Sequence, residues 1–262
     1  MPNSTRTSSA GSPRSSAARA LQVLYGVYAV TLLAILLLLA GLSVLLVPVL
    51  EWRRVITRGF ARLWLRAVGL LPHVSGLGQL PEEPCVLVAN HSSYLDGVVM
   101  KAALPPRFSF VIKREAAATP VLGFLLKRIG SQFVDRSSHG GRQRDARRVM
   151  KHAAAGHSLV FFPEGTFDDQ RGLKHFHVGA FVTAARGNAP VVPAVIHGAW
   201  RALPNGALLP RPARIDVEIL APLTLAEHAS SVERLRSAAR DRILERLDEP
   251  DLARTPAGIV HV

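Results

Sequence analysis

The hydrophobic residues of this chain follow two different patterns, which meet near residue 72. Residues 20–50 contain no charged side chain. As a single helix this run would be roughly 45 Å long, whereas the hydrocarbon core of a bilayer is about 30 Å thick. The pattern therefore predicts either one tilted membrane span or a re-entrant hairpin that bends near Gly41, Ser43 or Pro48. Arginines flank the run on both sides, which favours the hairpin because a hairpin leaves both flanks on one side of the membrane.

The segments around this run are polar or amphipathic. Residues 1–20 are rich in Ser, Ala and Arg without apolar periodicity, which is typical of a disordered tail. Residues 52–71 alternate arginine with Trp, Phe and Leu, which indicates either a helix at the membrane interface or an ordinary amphipathic helix on a domain core. We therefore predict a disordered basic tail at 1–19, a membrane-embedded and interfacial helical segment at 20–72 and a folded domain at 73–262.

After residue 80, apolar stretches of strand length alternate with stretches of helical periodicity. The predicted strands cover residues 84–88, 108–112, 132–134, 158–162, 190–196 and 215–220. The predicted helices contain residues 94–103, 121–128, 142–155, 178–186 and 231–247. Strands that alternate with helices are typical of an α/β domain with a largely parallel sheet.

Charge and composition narrow the possible partners. The formal net charge of +13 indicates an anionic partner, such as a membrane surface, a nucleic acid or a phosphorylated substrate. A mean hydropathy of +0.21 favours the membrane. The lysines and arginines are dispersed without a nucleic-acid reading motif, so no nucleic acid is expected. Cys85 is the single cysteine, which excludes an internal disulfide and a zinc-binding cysteine cluster. It lies in an apolar stretch predicted to be a strand.

The first candidate for chemistry is the stretch Asn90-His91-Ser92-Ser93-Tyr94-Leu95-Asp96, which follows a predicted strand and opens a predicted helix. Folds of the α/β class place their ligand sites at such strand ends. Five helical steps turn about 500°, so the two side chains can meet only if His91 lies in the turn and Asp96 lies in the helix. The carboxylate would then hold one ring nitrogen and leave the other to take a proton from a hydroxyl. The alternative is a histidine with a capping or core role.

Two further stretches contain candidate binding residues. In Phe162-Pro163-Glu164-Gly165-Thr166, Gly165 allows backbone to approach a ligand, and Glu164 could accept from a substrate hydroxyl or order nearby basic residues. This stretch could also be a plain turn at a strand end. In Gly130-Ser131-Gln132-Phe133-Val134-Asp135-Arg136, the final arginine suits bidentate phosphate binding, with Lys113 as a second cation. The alternative for such an arginine is a solvated surface charge.

Taken in order, these stretches resemble the family of 1-acyl-glycerol-3-phosphate acyltransferases and related glycerolipid (lysophospholipid) acyltransferases, over roughly residues 80–200. The matching elements are Asn90-His91-x4-Asp96, Lys113-x-Glu115 with Pro120 and Gly123, Gly130-x-x-Phe133-x-x-Arg136, Phe162-Pro163-Glu164-Gly165-Thr166 and Val192-Pro193-Ala194-Val195. The resemblance implies a glycerol-phosphate acyltransferase-like α/β fold, in which a mixed, largely parallel sheet is flanked by helices. It also implies an N-terminal helical element in the membrane.

The resemblance further implies a mechanism and a set of partners. His91 would be the general base that deprotonates the hydroxyl of a lyso-glycerolipid, and Asp96 would orient it. That hydroxyl would attack the thioester of acyl-CoA or acyl carrier protein, with no cofactor and no metal. The implied substrate-binding residues are Lys113, Gly130, Phe133, Arg136, Glu164, Gly165 and Thr166. The domain at 73–262 would be catalytic and would lie on the cytoplasmic face of the inner or plasma membrane.

One departure from the family pattern concerns the acceptor. The family commonly has arginine directly after Glu-Gly-Thr, whereas this chain has Phe167. Either Arg171 or Lys174 compensates for the lost cation, or the acceptor is another lyso-lipid, such as a lysophospholipid or a lyso-aminolipid. We take 1-acyl-glycerol-3-phosphate, which would give phosphatidate, as the leading expectation. A non-catalytic basic membrane-binding protein is the alternative, although it leaves the histidine–aspartate pattern unexplained.

Overall fold

The structure is a computed structural model, and it describes residues 13–135, 139–166 and 170–253. Within these residues the α-helices are α1 (Pro13–Leu46), α2 (Leu50–Ala67), α3 (Leu95–Ala103), α4 (Pro120–Arg128), α5 (His139–Ala154), α6 (Gly179–Arg186), α7 (Ala199–Ala202) and α8 (Val232–Arg246). The strands are β1 (His73–Ser75), β2 (Val86–Ala89), β3 (Ser109–Lys113), β4 (Gln132–Val134), β5 (Leu159–Phe161), β6 (Val191–His197) and β7 (Asp216–Ile219).

These strands form one sheet in the order β1-β7-β6-β2-β5-β3-β4. Neighbouring strands pair in parallel except β6 and β7, which are antiparallel, so β1 and β7 run against the rest. The predicted mixed, largely parallel α/β fold is thereby confirmed. The sequence did not predict β1 or α7, because segments of three and four residues are too short to carry a periodic pattern.

The central strand β2 is buried on both faces of the sheet. Leu87 and Ala89 belong to the core that also contains residues of α1, α2 and α3, whereas Val86 and Val88 belong to the core under α6 and α8. Successive side chains of a strand point to opposite faces, so a strand covered on both sides needs apolar residues at every position. The turn that follows β2 therefore starts from one of the most tightly packed parts of the domain.

The N-terminal segment is a helical hairpin. Its bend lies at residues 47–49, between the end of α1 and the start of α2, and contains Pro48, one of the three predicted bend positions. Proline lacks an N–H and disfavours helical conformation in the residue before it, so helix α1 cannot continue through this point. Helix α1 begins at Pro13, earlier than the boundary predicted at residue 20, because proline suits the first helical turn and alanines follow it. Residues 1–12 of the predicted tail lie outside the described residues.

Hydrogen bonds tie the two arms of the hairpin together in antiparallel fashion. The Tyr25 hydroxyl donates to the Val68 carbonyl at 2.7 Å, and Trp64 Nε1 donates to the Ala29 carbonyl at 2.9 Å. The most apolar 18-residue stretch of Ser16–Leu46 has a mean hydropathy of 2.8, and the segment is long and apolar enough to cross a membrane, judged by length and composition. Many large apolar side chains of α1 are exposed, and a lipid environment would cover them.

The basic side of α2 faces the C-terminal ends of other helices. Arg54 Nε donates to the Ile129 carbonyl after α4 at 3.0 Å, and Arg62 Nη1 donates to the Ala102 carbonyl in α3 at 3.1 Å. The last carbonyls of a helix have no partner inside the helix and carry partial negative charge. An arginine there donates a hydrogen bond to a carbonyl and is also attracted to this negative charge. Helix α2 also exposes Trp52 to the surroundings, while Trp64 is buried in the core. The predicted amphipathic helix on the domain core is thus present, and a role of its exposed face at the membrane interface stays a prediction.

Candidate active site

The site is built on the turn between β2 and α3, at the carboxyl edge of the sheet. Asn90 fixes the start of this turn, because its side chain accepts from the Ile196 N–H at 2.8 Å and donates to the Ile196 carbonyl at 3.0 Å. The two bonds join β2 to its neighbour β6 at the point where the sheet ends. The Ser93 hydroxyl donates to the Leu203 carbonyl at 2.8 Å, which fixes the other end of the turn.

His91 and Asp96 meet across this turn. His91 Nδ1 lies 2.8 Å from Asp96 Oδ2, and the same oxygen accepts from the N–H groups of Ser92 at 2.7 Å and Ser93 at 2.8 Å. Asp96 has no exposed surface, whereas the His91 side chain is 19% exposed. A carboxylate opposite Nδ1 places the ring proton on that nitrogen, so Nε2 becomes the basic nitrogen. The predicted contact is therefore present, with a bend between the two residues.

Two side chains from the end of β5 support His91. The Phe162 ring stacks on the imidazole with 4.4 Å between ring centroids. Glu164 is buried, and its Oε1 accepts from the backbone N–H of His91 at 2.6 Å while its Oε2 accepts from the backbone N–H of Lys174 at 2.9 Å. Glu164 therefore joins the turn that carries His91 to the segment that carries Lys174.

The environment of Glu164 is unusual for a carboxylate. Burial raises the pKa of Glu164 to about 7, although the N–H groups of Lys174 and His91 act in the opposite direction. Both oxygens of the carboxylate are occupied by backbone donors. The sequence suggested that Glu164 contacts a substrate hydroxyl or orders nearby basic residues. In the structure its carboxylate accepts from the backbone of His91 and Lys174. Its contact with a substrate stays a prediction.

The other predicted binding residues lie in three different places. Lys113 ends β3 at the same edge of the sheet as His91, and Phe133 lies in the neighbouring strand β4. Gly165 turns the chain after β5 with a φ of 82°, which glycine adopts readily, and the exposed Thr166 follows it. The roles of these residues towards a substrate stay predictions.

Gly130 lies at the opposite, amino edge of the sheet, before β4. Its φ is 79°, and a β-carbon there would approach Arg54 Nη2 to 3.0 Å. Backbone conformation and packing therefore account for this glycine without a ligand, and the structure does not bring it to the edge that carries His91. Arg136 and Phe167 lie outside the described residues.

A basic cavity of about 410 Å³ opens beside Phe133. Its lining includes Arg114, Lys127 and Arg148. Arg114 and Arg148 both pair with Asp145, at 2.6 and 3.1 Å, which places the two guanidinium groups beside each other. Such a cavity suits an anionic group.

Comparison with known proteins shows which proteins this chain resembles. Residues 72–197 match the family model described as Acyltransferase. A crystal structure of the 1-acyl-sn-glycerophosphate (LPA) acyltransferase PlsC from Thermotoga maritima superposes with a TM-score of 0.73 at 19% identity, covering 87% of this chain and 95% of that one. The likeness to PlsC concerns the fold. The match to the family model covers slightly less than half of this chain, and over that region the chain is similar to acyltransferases.

Several characterised relatives share more of the sequence. A chloroplast 1-acyl-sn-glycerol-3-phosphate acyltransferase of Arabidopsis thaliana is 30% identical over 225 residues, which are 83% of this chain and 61% of the relative. A 1-acyl-sn-glycerol-3-phosphate acyltransferase of Pseudomonas aeruginosa is 29% identical over 194 residues, 71% of this chain and 74% of the relative. The lyso-ornithine lipid O-acyltransferase of Pseudomonas aeruginosa is 34% identical over 137 residues, 52% of each chain. This chain therefore spans less than two thirds of the Arabidopsis relative's length.

Proposed function

We propose that this chain is a lyso-glycerolipid acyltransferase, which moves a fatty acyl group from a thioester to the free hydroxyl of a lyso-lipid. The observation that carries the proposal is the 2.8 Å contact between His91 Nδ1 and the fully buried Asp96 carboxylate. A histidine held in this way is a general base that lacks a nucleophile of its own. The substrate hydroxyl supplies the nucleophile.

The reaction proceeds in one displacement through a tetrahedral intermediate. His91 Nε2 takes the proton of the acceptor hydroxyl as its oxygen attacks the thioester carbonyl carbon. The carbon–sulfur bond then breaks, and the thiolate leaves with the proton that the imidazolium returns. Asp96 stabilises the imidazolium between these two steps, and its two N–H donors from Ser92 and Ser93 keep the carboxylate oriented. No acyl-enzyme and no cofactor are needed, and acyl-CoA or acyl carrier protein serves as co-substrate.

Charge and apolar surface support an anionic donor and a membrane-bound acceptor. The net charge of +13 and the cations that line the cavity beside Phe133 suit the phosphates of CoA, the acidic surface of acyl carrier protein or a lyso-lipid phosphate. The exposed apolar side of α1 suits insertion into the membrane that contains the acceptor. We place the enzyme at the cytoplasmic face of the inner or plasma membrane, where acyl-CoA and acyl carrier protein are available.

The proposed acceptor is 1-acyl-glycerol-3-phosphate, so that the product is phosphatidate. Two relatives over most of this chain's length carry that activity in their names. A second acceptor class is a lyso-aminolipid, since Phe167 replaces the arginine common in the family and a lyso-ornithine lipid acyltransferase is 34% identical. An acceptor without a phosphate monoester needs one cation fewer.

A panel of acceptors tests both the reaction and the acceptor. Purified full-length protein is mixed with labelled acyl-CoA or acyl carrier protein and with each lyso-lipid, and the products are identified by mass spectrometry. We expect phosphatidate to form, and we expect His91→Ala to lower its formation by at least about 100-fold. The control is His73→Ala, because the His73 side chain is 73% exposed and lies outside the catalytic turn. Full activity of His91→Ala would exclude the mechanism.

A further inference from the structure

A group of cations lies between α2 and the last turn of α3. We call Arg54, Arg58, Arg62 and Lys101 the α2–α3 basic cluster. Lys101 is close enough to Arg54 and Arg58, and Arg58 is close enough to Arg62, for each pair to repel electrostatically. Four like charges therefore gather on the side of the domain that carries the N-terminal hairpin.

The cluster has few compensating groups within the described part of the chain. The Arg54 guanidinium donates to the neutral oxygens of Ile129, Arg107 and Ser109. The acid that acts on Arg54 is the exposed Glu51. Among the described residues, Arg58 Nε is buried and has no acceptor, and none of the groups that act on Lys101 is an acid.

This arrangement costs free energy unless an anion is present. Burial lowers the pKa of Lys101 to about 7, and repulsion from Arg54 and Arg58 adds to the effect. The position of Lys101 in the last turn of α3 offsets part of this cost, but the Ala102 carbonyl in that turn already accepts from Arg62. A bound anion would offset the repulsion within the cluster.

The surroundings indicate which anion fits. Trp52, Val55 and Leu63 on α2 are exposed apolar residues, 62%, 43% and 53% exposed. A helix with exposed apolar residues and arginines lies at the level of lipid headgroups, where phosphates are concentrated. We propose that the α2–α3 basic cluster binds the phosphate of an anionic phospholipid that is not the substrate.

This lipid would lie away from the catalytic base. Lys101 is five residues beyond Asp96 in α3, which places it about 7.5 Å further along the axis and about 140° around the helix. A headgroup held by Lys101 therefore does not reach His91. The inference does not rest on the proposed acyl transfer, and its test needs no activity measurement.

Lipid retention by the full-length protein provides the test. The detergent-solubilised protein is offered phosphatidylglycerol, phosphatidylcholine or inorganic phosphate, and bound species are counted by native mass spectrometry. We expect retained phosphatidylglycerol, and we expect Arg58→Gln and Lys101→Gln each to lower its retention about fivefold, as for one cation beside an anionic headgroup. Arg66→Gln, which removes an exposed cation of the same helix outside the cluster, should leave the retention unchanged.

Thermal unfolding separates lipid binding from a purely structural role. We expect Lys101→Gln to raise the melting temperature of lipid-free protein, because it removes a partly buried unpaired charge, and to reduce the stabilisation by phosphatidylglycerol. If Lys101 only caps α3, the variant melts at lower temperature in both conditions and retains as much lipid as Arg66→Gln, which overturns the proposal. Equal retention of phosphatidylcholine, or binding of inorganic phosphate alone, would also overturn it.

Discussion

Glu164 and Lys101 are two buried or partly buried charges whose pKa values both lie near 7, although they approach this value from opposite sides. Burial raises the pKa of Glu164 to about 7, and burial together with two arginines lowers the pKa of Lys101 to about 7. The two sites differ in their partners. The Glu164 carboxylate has a backbone N–H on each oxygen, whereas the α2–α3 basic cluster around Lys101 lacks a comparable acceptor.

This difference separates a carboxylate with a backbone donor on each oxygen from a basic cluster that, in our proposal, binds a lipid phosphate. Backbone N–H groups are fixed by the fold, so the carboxylates of Asp96 and Glu164 are oriented before any ligand arrives. In the basic cluster, the carbonyls of Ile129 and Ala102 accept from Arg54 and Arg62. Among the described residues, the charges of Arg58 and Lys101 are left uncompensated. We therefore expect acyl transfer to depend on the side chains around His91. We expect the stability conferred by the basic cluster to depend on the lipid composition of the membrane.

The largest expected effect concerns Asp96, whose Oδ2 contacts the ring of His91. We expect Asp96→Asn to lower kcat by about 1,000- to 10,000-fold, because a neutral amide neither fixes the Nδ1–H tautomer of His91 nor stabilises its imidazolium. Initial rates of lysophosphatidate acylation measure the change. The matched control is Asp241→Asn on the exposed side of α8. A near-normal kcat for the Asp96 variant would show that the buried pair is only structural.

A smaller effect is expected at Glu164. We expect Glu164→Gln to lower kcat by about 10- to 100-fold with the KM for acceptor unchanged, because the amide NH₂ replaces one of two acceptors that position the His91 turn. Steady-state kinetics separate the two constants, with the exposed Glu233→Gln as control. A raised KM with normal kcat would instead make Glu164 a direct ligand of the acceptor.

The raised pKa of Glu164 also predicts a pH dependence of stability. Between its ordinary value of 4.5 and about 7 the unfolded chain has released this proton while the folded protein keeps it. The free energy of unfolding should therefore fall as pH rises through this window, by up to about 1.4 kcal/mol per pH unit. Denaturant unfolding of the wild type and Glu164→Gln at several pH values tests this. An identical slope in both proteins would contradict the assignment.

The smallest effect belongs to Lys101 and has the opposite sign. Between about 7 and its ordinary value of 10.5, the unfolded chain binds this proton and the folded protein does not, so the free energy of unfolding should rise with pH. We expect Lys101→Met to remove that rise and to stabilise the lipid-free protein near neutral pH by on the order of 1 kcal/mol. Denaturant unfolding in detergent without anionic lipid measures it. Destabilisation by this variant would remove the contrast with Glu164.

The sequence predicted those features that depend on residues close together in the chain. Residues 132–134 form a strand with the predicted bounds, and the His91–Asp96 contact spans a single turn. Glu164 is different, because its partner His91 lies 73 residues away and is engaged through the backbone, which no side-chain pattern encodes.

The sequence also could not predict that arginines of α2 donate to carbonyls at the C-terminal ends of other helices. Arg54 and its acceptor Ile129 are 75 residues apart, and an arginine on an amphipathic helix gives no sign of which carbonyl it will meet. The pattern predicted the charge and the face of the helix, while the tertiary fold selected the partner. Gly130 illustrates the same limit, since its neighbour Arg54 comes from a distant helix.

The loop that follows α7 contacts both the turn that carries His91 and the N-terminal hairpin. Its Leu203 carbonyl accepts from the Ser93 hydroxyl, and its Leu209 side chain lies so close to Gly26 of α1 that a β-carbon there would approach within 2.6 Å. Ser93 is two residues from His91, and Gly26 lies in the apolar helix α1. Under the proposed function, the depth of α1 among the lipid tails would therefore set the height of His91 Nε2 above them, and the reaction rate would depend on bilayer thickness.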